Sequence, residues 1–281
     1  MAFKCEVLAD SISDTQQYHR LTTMELTYPR VIHSEVLTHR RFSRNSASSR
    51  AIPVEKMLKM VEEDPFIPIH WGAAQSGMQA FQEVDMDIRA RAGARWLIAR
   101  DNAVIAARKL HNLGLHKQVI NRIVEPFMWI TVIVSGTESA WANFFALRIH
   151  QMAEPHIKQI ACMAKYAYLK SEPKVIQYRD WHLPLFGMPG DEEIQREDRP
   201  KVSAARCARV SYLTHDGRRD VEEDLKLFHR LKDEKPMHAS ALEHPAMVAF
   251  TTQGENGNYQ QGWAQFRKMF RNEAVDRMSD V

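Results

Sequence analysis

The chain has 281 residues, 44% of them hydrophobic and 26% charged, which is enough to bury a sizeable core as one large domain or two modest ones. Its 38 basic and 35 acidic residues leave a net charge of only +3, which excludes a protein that coats nucleic acid with positive charge over its whole surface. Three cysteines, at positions 5, 162 and 207, are too few and too scattered for a disulfide framework and indicate a reducing, cytoplasmic setting.

The first half of the chain alternates apolar segments with turn signals. Pro65 and Pro68 exclude a helix interior at their positions and so separate the apolar segment before them from the one after them. Gly114 is the predicted C-terminal cap of a long helix that precedes it. The predicted elements are a strand over Thr22–Tyr28, a short helix over Val31–Arg40, a helix over Val54–Glu63 and a long helix over Glu83–Leu113.

The second half contains the longest apolar run, residues 127–134. This run is eight residues long, far short of the ~20 that a membrane span needs, so no membrane role is expected. The predicted elements that follow are a long helix from about Thr137 to Leu169 with a bend at Pro155, a flexible excursion over Phe186–Pro200, a helix over Asp220–Lys232, a turn at Gly254–Asn258 and a final helix from about Gln261.

The densest polar segment is Thr38–Arg50. Its thirteen residues include four arginines, four serines, a histidine and an asparagine, and Phe42 is its single large apolar side chain. One interpretation is a solvated Arg/Ser loop. Because apolar segments flank it closely on both sides, the pattern favours a loop pinned inside the fold, where serine hydroxyls and arginine guanidinium groups hold a phosphate.

The spacing within this segment is specific. Residues 39–50, written His-Arg-x-x-Ser-x-Asn-x-x-Ser-x-Arg, closely resemble the Arg-His-Arg-x-x-Ser-x-Asn-x-x-Ser-x-Arg signature of the flavin-dependent thymidylate synthases, and six of its seven defined positions match. Thr38 stands where the family has its first arginine, which touches the flavin or the nucleotide. Ser46 stands where the family commonly has a glutamate, so a carboxylate role is absent at that position.

Two later segments support the resemblance. Asn121–Pro126 and Trp141–Arg148 look like the second half of the family's sequence, in which one arginine binds the nucleotide phosphate and another grips the pyrimidine ring. Arg122 and Arg148 stand at those two positions. Either arginine alone would be interpreted as a surface residue of a helix, but together with the motif they favour the functional assignment.

A segment that normally precedes the arginine motif in the family follows it here. Cys207–Tyr212 and Leu242–Phe250 resemble parts of that segment. A circular permutation accounts for the order, since a fold tolerates one when its original termini lie close together on the surface. We expect a single domain over the whole chain, with a motif-bearing part over residues 20–185 and a permuted segment over residues 201–281.

The resemblance implies an α+β fold with a mixed sheet and long helices, and a homotetramer whose active sites are shared among subunits. It also implies that dUMP is converted to dTMP, with a methylene group from methylenetetrahydrofolate and a hydride from FAD that NADPH has reduced. Physical reasoning is consistent with this: C5 of a pyrimidine becomes nucleophilic when negative charge on the ring is stabilised, as a fixed guanidinium such as Arg148 can do. No cysteine nucleophile is needed, and the three cysteines lack an activating His or Lys pattern.

The resemblance assigns roles residue by residue. Arg148, which holds the base, is the expected catalytic residue. The other nucleotide-binding candidates are Glu35, Ser46, Ser48, Arg50 and Arg122. The cofactor-binding candidates are Thr38, His39, Arg40, Asn45, Ser46, Thr137, Asn143 and His244, the last reaching the flavin from a second subunit or serving as a cap or interface histidine. The thirteen histidines show no HExxH or paired metal spacing, so no metal is expected.

Glu35 bears on which base is bound. It stands where the family often has a glutamine near the nucleotide, and a carboxylate can only accept hydrogen bonds. It therefore suits a ring with an amino group or a protonated N3, as in cytosine. Two alternatives stay open: a reaction on dCMP that gives a methyl or hydroxymethyl product, or a neutral substitution in which Glu35 pairs with His39 or an arginine of the motif.

A nucleic-acid-binding module is the alternative from a different class. The Arg/Ser loop would contact phosphates, and Trp71 and Trp129 would stack on bases. The balance of charge disfavours this alternative, because a groove that follows a phosphate backbone needs sustained basic surface. We therefore expect a nucleotide, a folate and NADPH as partners, and no nucleic acid.

Overall fold

The computed structural model describes residues 3–14, 20–210, 220–249, 257–259 and 262–275. Its strands are β1 (Lys4–Ser13), β2 (Leu21–Pro29), β3 (Ser43–Ser46), β4 (Trp129–Thr137), β5 (Lys174–Ile176), β6 (Trp181–His182), β7 (Ala246–Val248) and β8 (Trp263–Gln265). Its α-helices are α1 (His33–Leu37), α2 (Val54–Glu63), α3 (Met86–Asn112), α4 (Lys117–Ile120), α5 (Glu138–Arg148), α6 (Pro155–Lys170), α7 (Arg199–Arg209) and α8 (Val221–Asp233).

The strands form two sheets. Five of them make a mixed sheet in the order β3-β4-β2-β1-β5, in which only β1 and β5 run parallel. The other three make a small antiparallel sheet in the order β6-β7-β8. The predicted α+β class, with a mixed sheet and long helices, is confirmed.

The alternation of side chains along β4 separates two cores, because successive residues of a strand point to opposite faces of a sheet. Val132 and Val134 are buried with Trp141 in a cluster that includes α5 and α6. Ile133 is buried in a second cluster, among side chains of α7 and α8. The C-terminal part of the chain therefore packs on the face of the sheet opposite to α5 and α6.

Several predicted elements are confirmed near their expected bounds. The helix α2 covers Val54–Glu63 as predicted, and β2 extends the predicted strand by one residue at each end. The helix α3 begins later than predicted, at Met86, because the side chain of Asp85 caps it by accepting a hydrogen bond from the amide of Ile88. Near the N-terminus, the predicted helix over Val31–Arg40 is a short 3₁₀ turn followed by α1, which ends at Leu37.

The single long helix predicted from Thr137 to Leu169 is wrong. Thr137 is the last residue of β4, and residues 149–154 separate α5 from α6. Pro155 occupies the first turn of α6, where backbone N–H groups have no acceptor within the helix, so the N–H that proline lacks is not needed. Glu154 caps the same turn by accepting hydrogen bonds from the amides of His156 and Ile157 at 2.8 and 2.9 Å.

Two further predictions differ from the structure. Residues 43–46, predicted as loop, form β3, because their backbone pairs with the edge of β4. The final helix predicted from about Gln261 is wrong, since Trp263–Gln265 form β8 and Phe266–Met269 form a 3₁₀ turn. Most of the turn predicted at Gly254–Asn258 lies outside the described residues.

The segment Phe186–Pro200, predicted as a flexible excursion, is anchored by a buried ion pair. Asp191 is 3% exposed and accepts two hydrogen bonds from the guanidinium of Arg206, each of 2.8 Å. The same guanidinium donates to Asp224 of α8 at 3.0 Å. Burial alone would raise the pKa of the Asp191 carboxyl, but the hydrogen bonds from Arg206 bring that pKa below its usual value.

Arg206→Met should destabilise the protein by about 3–5 kcal/mol, because it leaves the buried carboxylate of Asp191 without its cation and leaves that of Asp224 with Arg209 alone. Chemical denaturation of the purified variant measures the loss. The matched control is Lys226→Met, which removes a cation from exposed ion pairs on α8 and should cost little. Similar losses of unfolding free energy in the two variants would contradict the expectation that the buried ion pairs of Arg206 contribute more than the exposed pairs of Lys226.

A chain of buried polar side chains joins the two sheets. His182 of β6 is hydrogen-bonded to Ser11 of β1 at 2.9 Å and to Thr23 of β2 at 2.8 Å. Ser135 of β4 is hydrogen-bonded to Thr23 at 2.5 Å and to His244 at 2.8 Å. Burial lowers the pKa of both histidines to about 3, so both rings are neutral and the chain carries no charge through the core.

Stability should fall as the pH is lowered from about 6.5 towards 5. The pKa is lowered to about 4 for His33 and His39 and to about 3 for His182 and His244, chiefly by burial. In the unfolded chain these rings titrate near 6.5, so below that pH the unfolded state binds more protons, and each histidine contributes a slope of up to ~1.4 kcal/mol per pH unit.

Urea denaturation at a series of pH values measures this slope. The window above about pH 5 excludes most of the carboxyl titration, which begins lower. A free energy of unfolding that stays level across the window would show that these rings protonate in the folded state as readily as in the unfolded state.

No α-helix in the described ranges is long and apolar enough to cross a membrane. Within the same ranges, no group of three or more His, Cys, Asp or Glu side chains is arranged to hold a metal ion.

Candidate functional site

The motif Thr38–Arg50 lies along the edge of β4 and is fixed by one aromatic side chain. Phe42 is 1% exposed, and its ring centroid lies 4.6 Å from that of Trp141 and 5.5 Å from that of Phe144 on α5. Gly136 of β4 makes room for it, since a Cβ at that position would lie 2.6 Å from two atoms of the Phe42 ring. The single large apolar residue of the motif therefore docks it on the sheet.

Arg44, at a position that the motif leaves undefined, ties β3 to the end of α1. Its Nη1 donates hydrogen bonds to the carbonyl oxygens of Leu37 at 2.6 Å and His39 at 3.3 Å. Unpaired carbonyls and the helix dipole favour a cation at the C-terminus of a helix. Sequence reasoning missed this role, although an arginine that soon follows a predicted helix end is a signal for it.

Arg148, the predicted catalytic residue, ends α5 and contacts three other candidates. Its Nε donates to Nε2 of His39 at 2.8 Å. Its Nη2 donates to the hydroxyl of Thr38 at 3.0 Å and to the backbone carbonyl of Glu35 at 3.3 Å, while Nη1 lies 3.4 Å from the Glu35 carboxylate. The structure thus brings Arg148 to Glu35, Thr38 and His39, which lie 109 to 113 positions earlier in the sequence.

The contact with Arg148 fixes the tautomer of His39. Since Nε2 accepts a hydrogen bond, the neutral ring carries its proton on Nδ1. Burial, with the positive charges of Arg148 and Arg44, lowers the pKa of His39 to about 4. The pKa of the Glu35 carboxyl is shifted upwards by burial and by Glu154, and Arg148 offsets part of this shift.

Glu35 and Arg148 line a cleft of about 1070 Å³. The end of α5, the beginning of α6 and the segment 78–81 form its walls. Small-molecule sites in proteins commonly enclose ~300–1,000 Å³. The cleft is therefore large enough for a pyrimidine nucleotide with a second planar ring beside it.

A second group of candidates lies beyond the other end of β3. The amide of Ala51 donates to the carbonyl of Ser48 at 2.9 Å, which closes a turn before α2. Asn121 fixes this turn by donating to the carbonyl oxygens of Ser49 at 2.7 Å and Ile52 at 2.9 Å. The hydroxyl of Ser49 is already used, since it donates to Glu125 at 2.6 Å.

The arginines of this second group are accessible. Arg50 and Arg122 are both exposed, and Arg122 donates only from Nε to the carbonyl of Gln118 in the described structure, at 3.2 Å. Ser48, Arg50 and Arg122 do not line the cleft that Arg148 faces. Within one chain, the predicted phosphate-binding and base-binding residues therefore form two separate groups.

Asn45, predicted to bind flavin, joins the motif to the C-terminal segment. Its Nδ2 donates to the carbonyl of Cys207 in α7 at 2.8 Å, and its Oδ1 accepts from the hydroxyl of Ser240 at 3.1 Å. Ser43, two residues earlier on β3, accepts a hydrogen bond from Gln265 at 2.7 Å. One side of β3 therefore holds the C-terminal segment, and a flavin contact by Asn45 stays a prediction.

The remaining cofactor candidates differ in accessibility. Arg40 and Asn143 are exposed, Ser46 is half-buried, and Thr137 is buried at the end of β4. His244 is 0% exposed, with Nδ1 hydrogen-bonded to Ser135 and Nε2 without a hydrogen-bond partner among the described residues. The His244 side chain is therefore enclosed within one chain, and its contact with a flavin stays a prediction.

The half-buried Cys5 and the buried Cys207 are poor nucleophiles. Burial raises the pKa of Cys5 to about 12 and also raises that of Cys207. A thiol reacts as its thiolate, so both side chains stay unreactive near neutral pH. Cys162 is exposed on the wall of the cleft.

The two tryptophans considered as base-stacking platforms are engaged in aromatic packing. The ring of Trp71 meets that of Trp96 edge-on at 6.2 Å, and the ring of Trp129 meets that of Phe66 edge-on at 5.6 Å. Neither residue is exposed. This packing weighs against the nucleic-acid-binding alternative.

A curated relative and two solved structures are similar to this chain. The flavin-dependent thymidylate synthase of Mycolicibacterium vanbaalenii is 24% identical over 146 residues, which cover 50% of this chain and 54% of that protein. The UMP/dUMP methylase PolB from Streptomyces cacaoi, bound with 5-Br UMP, has a TM-score of 0.50 and 15% identity over 60% of this chain and 89% of its own. The same methylase bound with 5-Br dUMP has a TM-score of 0.48 and 13% identity over 60% of this chain and 91% of its own. No family model matches the chain.

The predicted resemblance to the flavin-dependent thymidylate synthases is confirmed. The chain spans about half the length of the curated thymidylate synthase that it matches. At 15% identity, the likeness to PolB concerns the fold alone.

Arg44→Met should loosen the motif shared with the flavin-dependent thymidylate synthases, because the carbonyls at the end of α1 lose their donor. We expect a loss of about 1–3 kcal/mol in stability and faster amide exchange over residues 38–46. Hydrogen exchange read by mass spectrometry measures the local effect. Arg41→Met, at an exposed neighbour, is the control, and equal protection in both variants would contradict the role of Arg44.

Proposed function

We propose that the chain is a flavin-dependent enzyme that methylates C5 of dUMP to give dTMP, with methylenetetrahydrofolate as the methylene donor and FAD, re-reduced by NADPH, as the source of hydride. The position of Arg148 carries this proposal, because His39 and Thr38 hold its guanidinium at the wall of a cleft that can accept a nucleotide. The matching motif and the curated thymidylate synthase relative support the same reaction.

Arg148 suits a reaction at C5 of a pyrimidine. C5 attacks a one-carbon electrophile more readily when negative charge on N3 and the two ring oxygens is stabilised. Hydrogen bonds to His39, Thr38 and the Glu35 backbone fix the guanidinium, so it need not reorganise as that charge develops. Because His39 is neutral, it orients the guanidinium without cancelling its charge.

Three of the predicted cofactor-binding side chains suit a flavin by their chemistry. FAD, when bound, would supply the hydride that completes the methyl group. The exposed guanidinium of Arg40 suits a pyrophosphate, while Nδ1–H of His39 and the amide of Asn143 suit the nitrogen and oxygen acceptors of a flavin ring. In this proposal these three residues hold the cofactor, and the Thr38 hydroxyl keeps its bond to Arg148.

We place the base and the phosphate of one nucleotide on different copies of the chain, in a homotetramer with shared sites. Ser48, Arg50 and Arg122 lie at the opposite end of β3 from Arg148, and both arginines are exposed and suited to a site completed by a second copy. The proposal treats the whole chain as one domain. Its permuted segment, residues 201–281, includes α7 and α8 on the sheet face opposite to α5 and α6.

The purified protein should be yellow, with flavin absorbance, and should convert dUMP to dTMP when given methylenetetrahydrofolate and NADPH. Mass spectrometry of the nucleotide identifies the product. A colourless protein that takes up no FAD, yet binds oligonucleotides with an affinity that falls steeply with salt, would overturn the proposal in favour of a nucleic-acid-binding module.

Arg148→Met should lower kcat for dUMP by roughly 100-fold or more, because the ring loses the cation that stabilises its developing charge. FAD absorbance should persist, which separates a chemical defect from loss of the cofactor. Arg95→Met, on an exposed part of α3, should keep wild-type turnover. Wild-type turnover in Arg148→Met would show that the base is activated elsewhere.

A further inference from the structure

The hydrogen bonds of Arg148 leave it little to offer a nucleotide. A guanidinium has five N–H donors. Four of them point to Nε2 of His39, the hydroxyl of Thr38, the backbone carbonyl of Glu35 and the carboxylate of Glu35. One N–H, on Nη1, remains for a ligand in the cleft.

The Glu35 carboxylate is the neighbour of that remaining donor. Oε2 lies 3.4 Å from Nη1 of Arg148, and no described residue donates a hydrogen bond to Oε1. The side chain is 37% exposed and lines the same cleft. A base that enters the cleft therefore meets one donor beside one negatively charged acceptor.

Thr38 cannot change this pattern. Its hydroxyl proton is donated to the carbonyl of Glu35 at 2.6 Å, and its oxygen accepts from Arg148. It therefore has no proton left for a ring oxygen of the substrate. The polar pattern at this end of the cleft is set by Arg148 and Glu35.

Cytosine and uracil differ in how they match this pair. Cytosine presents an amino group, which donates, beside N3, which accepts, so the amino group can meet Glu35 while N3 meets Nη1 of Arg148. Uracil can also meet the pair, with N3–H on the carboxylate and a ring oxygen on Nη1 of Arg148, but its N3 then faces the negative charge of Glu35. Both bases can therefore bind, and the carboxylate favours cytosine, whose N3 faces the guanidinium instead.

We propose that Glu35 extends the base range of this site to cytosine, so that dCMP is a second substrate beside dUMP. This inference rests on the proposed function. C5 of dCMP would bond to the methylene carbon and lose its proton, and both bonds from that carbon to folate nitrogens would break. Reduced flavin would give a hydride to the methylene carbon, and the proton from C5 and the second proton of the reduced flavin would end on the two folate nitrogens. The products are 5-methyl-dCMP, tetrahydrofolate and oxidised FAD.

Glu35→Gln tests the inference, because an amide has nearly the same shape but no charge and can donate to O4 of uracil. The first readout is equilibrium binding of dCMP and dUMP without folate. We expect the variant to change the ratio of the two dissociation constants in favour of dUMP by about tenfold or more, the size of one charge-assisted hydrogen bond. The second readout is the ratio of kcat/KM for the two nucleotides, with products identified by mass.

The matched control is Glu55→Gln, an exposed residue of α2 that does not line the cleft, which should leave both ratios unchanged. A wild-type protein that converts dUMP but neither binds nor converts dCMP would overturn this inference and leave the proposed function intact. A selectivity ratio that Glu35→Gln does not move would also overturn it. Failure to bind or convert either nucleotide would overturn both.

Discussion

The pairing of β3 with β4 is the constraint on which the candidate site depends. This four-residue strand has the motif's histidine before it and the Ser48–Arg50 turn after it. Phe42 can dock beside it only because Gly136 lacks a side chain. Since side chains alternate along a strand, a shift of one residue in the pairing would turn Ser43 and Asn45 away from the C-terminal segment that they now hold. The same backbone pairing thus positions Arg44 against the end of α1 and holds the last third of the chain.

Arg148 is held by groups of three different kinds. A neutral histidine and a hydroxyl position its guanidinium without reducing its charge, whereas the carboxylate of Glu35 partly neutralises it. In the function that we propose, the balance between these contacts decides which base the guanidinium favours. A purely positive site would favour a ring that accumulates negative charge, and a mixed site also accommodates a ring that presents an amino group.

Elements whose signals are local could be predicted from the sequence. The helix α2 has a proline before it and an apolar stripe along it, and the structure reproduces its predicted bounds. Across Thr137–Leu169 the apolar spacing led to the wrong prediction of a single helix, because the spacing continues through two helices that pack in one core. The break follows from the cap at Glu154 and from a proline that is compatible with a first turn. The strand β3 could not be predicted for another reason: its four polar residues form a strand only because their backbone pairs with β4.

The sequence by itself determined the motif, its family resemblance and the choice of Arg148 as a candidate, because these depend on residue types and their spacing along the chain. The tertiary structure decided which candidates meet. Glu35 and Arg148 are 113 positions apart, and no local pattern relates them, yet α1 and α5 bring them to one wall of a cleft. It also decided that His244 and Asn45 are buried while Arg50 and Arg122 are exposed. Burial and contact depend on the packing of distant segments, and that packing sets pKa values and hydrogen-bond partners that the order of residues does not reveal.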